Sequence, residues 1–195
     1  MVHLLEEMEQ YADEQNVPIM EKEGIEFLTN LIKEKEIKTV LEIGTAIGYS
    51  AIHMCLIDPE IKVVTVERDE NRYQEAFKNI EKAEMRDRIR VITADAFDVL
   101  LEEKFDLIFI DAAKSQYTKF FEKFKKNLNQ KGIIVTDNLK FHGLVGHAEE
   151  IESKNLRSMV RKIQNYLDFL KTNEEFTTIF YDIGDGVGVS TRKNK

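Results

Sequence analysis

The chain has 195 residues, enough for one sizeable core, and with no Pro-, Gly- or Ser-rich linker it reads as a single domain over 1–195 whose N-terminal helices occupy 1–35. One cysteine, Cys55, excludes an intramolecular disulfide framework and a multi-cysteine zinc site, and fits a reducing cytoplasm. A net charge of −8 argues against a chain that coats nucleic acid but leaves room for a local basic face, and an acidic N-terminus without a run of ~20 apolar residues argues against secretion and membrane spanning.

In chain order, two helices around 4–14 and 22–34 come first. Short β-rich apolar runs at 39–43, 63–67, 89–93, 107–111 and 132–137 then alternate with amphipathic stretches at 50–56, 70–84, 115–128 and 153–172. That alternation predicts an α/β, doubly wound, mostly parallel sheet covered by helices on both faces. The end breaks the pattern: 176–181 and 187–191 are two β-type runs joined through Ile183-Gly184-Asp185-Gly186, a C-terminal antiparallel hairpin that completes seven strands. Residues 139–152, with glycines and two histidines but no clear period, are a loop of the length that often carries function.

Val40-Leu41-Glu42-Ile43-Gly44-Thr45-Ala46-Ile47-Gly48-Tyr49-Ser50 places glycines where a buried strand turns into a helix. The next strand ends in Glu67, where a doubly wound fold binds a ribose hydroxyl pair. The spacing is Gly-x-x-x-Gly and offers no evident pyrophosphate cradle, so a nucleoside without phosphates fits better. A third strand ends Thr93-Ala94-Asp95-Ala96-Phe97, where Asp95 can accept from an adenine amino group while apolar neighbours pack on the ring.

Two further strands end in oxygen donors, Asp111 and Asp137-Asn138. Two carboxylates and a carboxamide converging from neighbouring strand ends make a hard oxygen corner that suits magnesium. Lys114, three residues after Asp111, projects to the same mouth, to depress the pKa of a bound hydroxyl or accept its proton. The alternative for each acid is a helix cap or a turn, and for Lys114 a solvated surface residue.

Leu41 to Ser50 as written above, Phe109-Ile110-Asp111-Ala112-Ala113-Lys114 and Thr136-Asp137-Asn138 resemble, in order and spacing, the cation-dependent class I O-methyltransferases, which include catechol and caffeoyl-CoA enzymes. The resemblance covers nearly the whole chain and implies a Rossmann-like methyltransferase fold with S-adenosylmethionine as donor. It assigns Asp111, Asp137 and Asn138 to Mg2+ or a substitute such as Mn2+, Lys114 with Asp111 to catalysis, and Glu67 to the ribose. The cofactor expectation covers Val17, Met20, Glu42, Gly44, Tyr49, Ser50, Glu67, Asp95, Ala96 and Asp111. Within the family the chain is most similar to a bacterial branch that methylates 5-hydroxyuridine at the tRNA wobble position to 5-methoxyuridine. Val17-Pro18-Ile19-Met20, Asp137 to Val145 and the basic stretch Lys154, Arg157, Arg161, Lys162 carry that likeness.

The expected reaction is therefore methylation of the 5-hydroxyl of tRNA 5-hydroxyuridine, with Lys140, His142, Arg157 and Arg161 contacting RNA. A catechol or related phenol is the alternative acceptor, because both present adjacent oxygens for chelation. A third reading is a binding module for an adenosyl cofactor or a nucleotide without turnover. The N-terminal helices and the apolar positions of the substrate loop, as in related enzymes, make a homodimer an expectation, and the single cysteine with the acidic N-terminus makes the cytoplasm the expected location.

Overall fold

A computed structural model describes residues 1–193. It holds six α-helices and seven strands in two compact units, Met1–Glu102 and the remainder from Glu103.

In the first unit, helices α1 (Val2–Gln15) and α2 (Lys22–Glu34) precede β1 (Thr39–Ile43), α3 (Tyr49–Leu56), β2 (Lys62–Glu67), α4 (Glu70–Lys82) and β3 (Ile89–Thr93). Its strands run β3-β2-β1, all parallel, with Ile43 opposite Val66 and Glu67 opposite Thr93. This register brings the acidic and glycine-rich strand ends to one edge. Strand β1 is buried on both faces, as parallel strands covered by helices require, and Val40 and Leu41 have no exposed surface. Helix α4 starts where Asp69 caps it by accepting from the Arg72 amide (3.0 Å). Helix α2 buries Ile25, Leu28, Leu31 and Ile32, one stripe at helical spacing.

The second unit contains β4 (Phe105–Ile110), α5 (Tyr117–Phe124), β5 (Leu128–Thr136), α6 (Lys154–Thr172), β6 (Phe176–Tyr181) and β7 (Val187–Arg192). Its strands run β4-β5-β7-β6; β4 and β5 are parallel, and β7 is antiparallel to both β5 and β6. The parallel strands of the first unit and the mixed strands of the second, seven in all with a C-terminal hairpin, match the α/β architecture expected from the sequence. Helix α5 buries Tyr117, Phe120, Phe121 and Phe124, and α6 buries Val160, Ile163, Tyr166 and Leu170. Phe121 meets Phe176 and Phe169 edge to face at centroid distances of 5.0 and 5.3 Å.

Several boundaries differ from expectation, most of all around β4, α5 and β5. Strand β4 stops at Ile110, so Asp111 stands just beyond the strand. The helix predicted over 115–128 is an α-helix of only eight residues between two 3-10 turns, Lys114–Gln116 and Lys125–Asn127. Strand β5 starts early, at Leu128, because Phe105 pairs with Leu128 while Leu107 pairs with Ile133; the extra residues form a bulge. Cys55 is 2% exposed and burial pushes its thiol up to about 12, as befits a small apolar core residue. Among the described residues no helix is long and apolar enough to cross a membrane.

Candidate active site

The loop after β1 rests on a buried polar chain. Thr45 donates to Thr65 (2.6 Å), Thr65 donates to Glu42 Oε2 (2.6 Å), and Ser50 Oγ donates to Glu42 Oε1. Glu42 has no exposed surface, and Ser50 and Thr45 are 8% and 1% exposed. Glu42 and Ser50, expected among the cofactor contacts, are hydrogen-bonded inside the unit, where they fix the loop's foundation. Tyr49, 3% exposed, is likewise turned inward, its hydroxyl donating to Glu9 (2.7 Å) on α1. Asn79 on α4 donates to the Ile47 carbonyl (3.0 Å) and pins the loop from outside.

Above this foundation the backbone turns sharply. Gly48 caps α3 at φ +84°, a conformation that an L side chain rarely adopts, and Ala46 is itself left-handed at φ +47°. The Ala46 amide donates to Glu67 Oε2 (2.9 Å), while Glu67 Oε1 accepts from the amides of Arg68 (3.0 Å) and Asp69 (2.9 Å). Three backbone donors thus hold the carboxylate at the strand end, and its remaining lone pairs suit a ribose diol. Asp95 closes its own turn, accepting from the Phe97 amide (2.9 Å), and Ala96 beside it is buried. Val17 follows the left-handed cap of α1, donating from its amide to Ala12 (2.9 Å), and Met20 is buried against Gly24 at the start of α2.

In the second unit Asp111, Lys114, Asp137 and Asn138 form one interacting cluster. Lys114 Nζ donates to Asn138 Oδ1, and Asn138 Nδ2 donates to Asp137 Oδ2 (3.2 Å). Asp137 is 3% exposed; burial first, and then the charge of Asp111, push its carboxyl up to about 7. Desolvation also raises Asp111, against the pull of Lys114. Asn138 sits left-handed at φ +59°, which asparagine tolerates better than most residues and which turns its side chain back beside Asp137. Tyr117 supports the cluster from below, its hydroxyl donating to the Asp137 carbonyl (3.0 Å).

Two desolvated carboxylates at close quarters with a carboxamide oxygen are hard donors whose repulsion a divalent cation would relieve, so the residues present fit such an ion. Among the described residues no group of three His, Cys, Asp or Glu could hold a metal ion, and the third oxygen of this cluster is an amide's.

Three of the four residues expected to contact RNA have side-chain partners within the protein. Lys140 pairs with Asp182, Arg161 with Glu149 (2.9 Å), and Arg157 donates to the Ile151 carbonyl (2.9 Å from Nε). The His142 side chain is 72% exposed, whereas its backbone amide donates to Asp185 Oδ1 (2.5 Å). Sequence reasoning missed Asp185 and Tyr117. Asp185 reads as a turn acid between glycines yet is only 7% exposed, and Tyr117 reads as one more aromatic on a helix face.

The family model described as O-methyltransferase matches residues 1–193. The chain belongs to the O-methyltransferase family. Relatives of this O-methyltransferase include a caffeoyl-CoA O-methyltransferase from Populus kitakamiensis, 33% identical over 85% of the chain and 74% of the relative. A catechol O-methyltransferase from Niastella koreensis is 37% identical over 61% of the chain and 57% of its own length. A Staphylococcus aureus crystal structure provisionally called a caffeoyl-CoA O-methyltransferase is 35% identical, with a TM-score of 0.93 over 97% of this chain and 92% of that one. A Bacillus cereus O-methyltransferase solved in complex with SAH is 27% identical, with a TM-score of 0.83 over 98% and 91% of the two chains. The fold is Rossmann-like, the enzyme is an S-adenosylmethionine-dependent O-methyltransferase, and a binding module without turnover is set aside.

Proposed function

We propose that this O-methyltransferase acts on a small phenol with two adjacent oxygens, of the catechol or caffeoyl type, and that it requires a divalent cation. The buried cluster of Asp111, Asp137 and Asn138 with Lys114 carries the reading, because its donors suit an ion that a vicinal oxygen pair can chelate. The named relatives act on catechol and caffeoyl-CoA, and the acids paired with Lys140 and Arg161 weaken the case for the tRNA acceptor expected from the sequence. A family model that runs through 1–193 supports reading the chain as one catalytic domain.

When bound, S-adenosylmethionine would supply an electrophilic methyl on a sulfonium, and Asp111, Asp137 and Asn138 would hold a cation that would supply Lewis acidity favouring the phenolate. The chain's own residues do the rest. Gly44 and the left-handed Ala46–Gly48 turn give the adenosyl group a close approach to backbone, Glu67 accepts from the ribose, and Asp95 with Ala96 borders the base. Val17 and Met20 flank the segment that covers the donor. Lys114, next to Asn138, would stand beside the acceptor hydroxyl, take its proton as the neutral amine and, as the ammonium so formed, stabilise the oxyanion. The carbon–oxygen bond forms as the carbon–sulfur bond breaks, in one displacement, and orientation is the protein's main contribution.

Incubation with isotopically labelled S-adenosylmethionine tests this against a catechol panel and total tRNA, each with excess chelator or added Mg2+. The expected result is label in catechols, lost with chelator and restored by Mg2+, with Asp137→Asn lowering kcat about 100-fold. Label in tRNA and in no phenol would overturn the substrate, and undiminished transfer in chelator would overturn the metal.

A further inference from the structure

We propose that Asp185, in the turn between β6 and β7, is a positioning residue that clamps residues 138–142 and so sets the Asn138 carboxamide in the proposed metal corner; the inference rests on that reading of the site.

Three non-glycine residues in this stretch are left-handed: Asn138 (φ +59°), Phe141 (φ +47°) and His142 (φ +55°). Such conformations are costly for residues that carry a Cβ and persist only where the surroundings enforce them. The β6–β7 turn does so with three hydrogen bonds. The Leu139 amide donates to the Gly186 carbonyl (2.9 Å), the Lys140 amide to the Asp185 carbonyl (2.7 Å), and the His142 amide to Asp185 Oδ1 (2.5 Å). The turn lies so close that a Cβ on Gly186, itself at φ +86°, would stand 2.8 Å from Lys140 Cγ and 3.2 Å from the Lys140 nitrogen.

Asp185 is costly where it stands. It is 7% exposed, and its Oδ2 is buried without a hydrogen-bond partner among the described residues. His142 Nδ1 is 3.9 Å from Oδ2, beyond hydrogen-bond reach. A buried carboxylate with one idle oxygen destabilises a fold. The return visible in the geometry is Oδ1, the only side-chain atom among the three acceptors, and it grips the last of the left-handed residues. The Asp185 carboxylate also acts electrostatically on Asp137 and Tyr117, adding to the upward push on both.

The test compares the wild-type protein with Asp185→Ala, Asp185→Asn, which keeps an oxygen acceptor for the His142 amide, and Gly186→Ala, which strikes the same clamp without touching the acid. Amide exchange is followed in metal-free protein, and Mn2+ and S-adenosylmethionine affinities are measured by calorimetry. Asp185→Ala and Gly186→Ala are expected to speed exchange at 139, 140 and 142 by about 10-fold or more and to weaken Mn2+ about 10-fold, with donor affinity unchanged. Asp185→Asn should restore Mn2+ affinity to within about threefold of wild type. Exchange at 139–142 that matches wild type in both clamp variants would overturn the proposal, as would faster exchange with unchanged Mn2+ affinity. A wild-type protein that binds no Mn2+ yet shows the expected exchange pattern would support the clamp and defeat the metal corner instead.

Discussion

At the scale of single residues, what matters is how many of a carboxylate's lone pairs the fold has already taken. Glu42 is spent on Ser50 and Thr65, whereas Glu67 is held by three backbone amides with acceptor capacity left over. Glu67→Gln should therefore raise KM for S-adenosylmethionine about 10-fold and leave kcat nearly unchanged, because a charge-assisted bond to a non-reacting part of the donor contributes equally before and during transfer. Steady-state kinetics with the donor varied checks this; a fall in kcat at unchanged KM would remove Glu67 from the ribose. The sequence did not separate these two glutamates. Both end or line buried strands, and only the side-chain partners from neighbouring strands distinguish a foundation from a binding group. Asp185 was hidden for a related reason, since a Gly-Asp-Gly turn carries the signature of a solvated loop whatever is packed over it.

Among the elements, Glu9 on α1 is a joint. It accepts from Tyr49 on α3 (2.7 Å) and pairs with Lys22 at the start of α2 (2.7 Å), so it ties together three helices around the 17–20 segment. Lys22 first and Tyr49 second hold the Glu9 carboxyl below its ordinary value of 4.5. A depressed folded-state pKa contributes stability that is present above the unfolded value and lost as pH falls through the folded one. Glu9→Gln should thus cost about 0.5–1 kcal/mol near neutral pH, a drop of about 2 °C in Tm, and the gap should close in acid below the ordinary Glu range. Paired melting curves at several pH values measure it. Periodicity revealed the element types well: every expected strand and helix exists. It failed at the ends of α5 and β5, where the buried Asn127 side chain, donating to the Glu103 carbonyl (2.9 Å), forms a join with no hydrophobic period to read.

For the molecule as a whole, the net charge of −8 disfavours a polyanionic acceptor and is indifferent to a neutral phenol. KM for a catechol should change by less than about twofold between ~0.05 and ~0.5 M NaCl, whereas an acceptor gripped through several phosphates would lose about 1,000-fold. A steep salt dependence of turnover would return the tRNA reading to first place. The family was legible because two short strings, Asp111 to Lys114 and Asp137-Asn138, carry chemistry at fixed spacing. The acceptor was not, because surface lysines and arginines look alike in sequence whether or not an acid neutralises them.

Sealed inside α3, Cys55 has practical value of a different kind. With its sulfur shut away and its ionisation suppressed, the native enzyme offers alkylating reagents no thiolate. A cysteine engineered into 139–152 would then be the sole handle for a fluorophore or spin label, and the movements of that loop could be followed without first stripping the background.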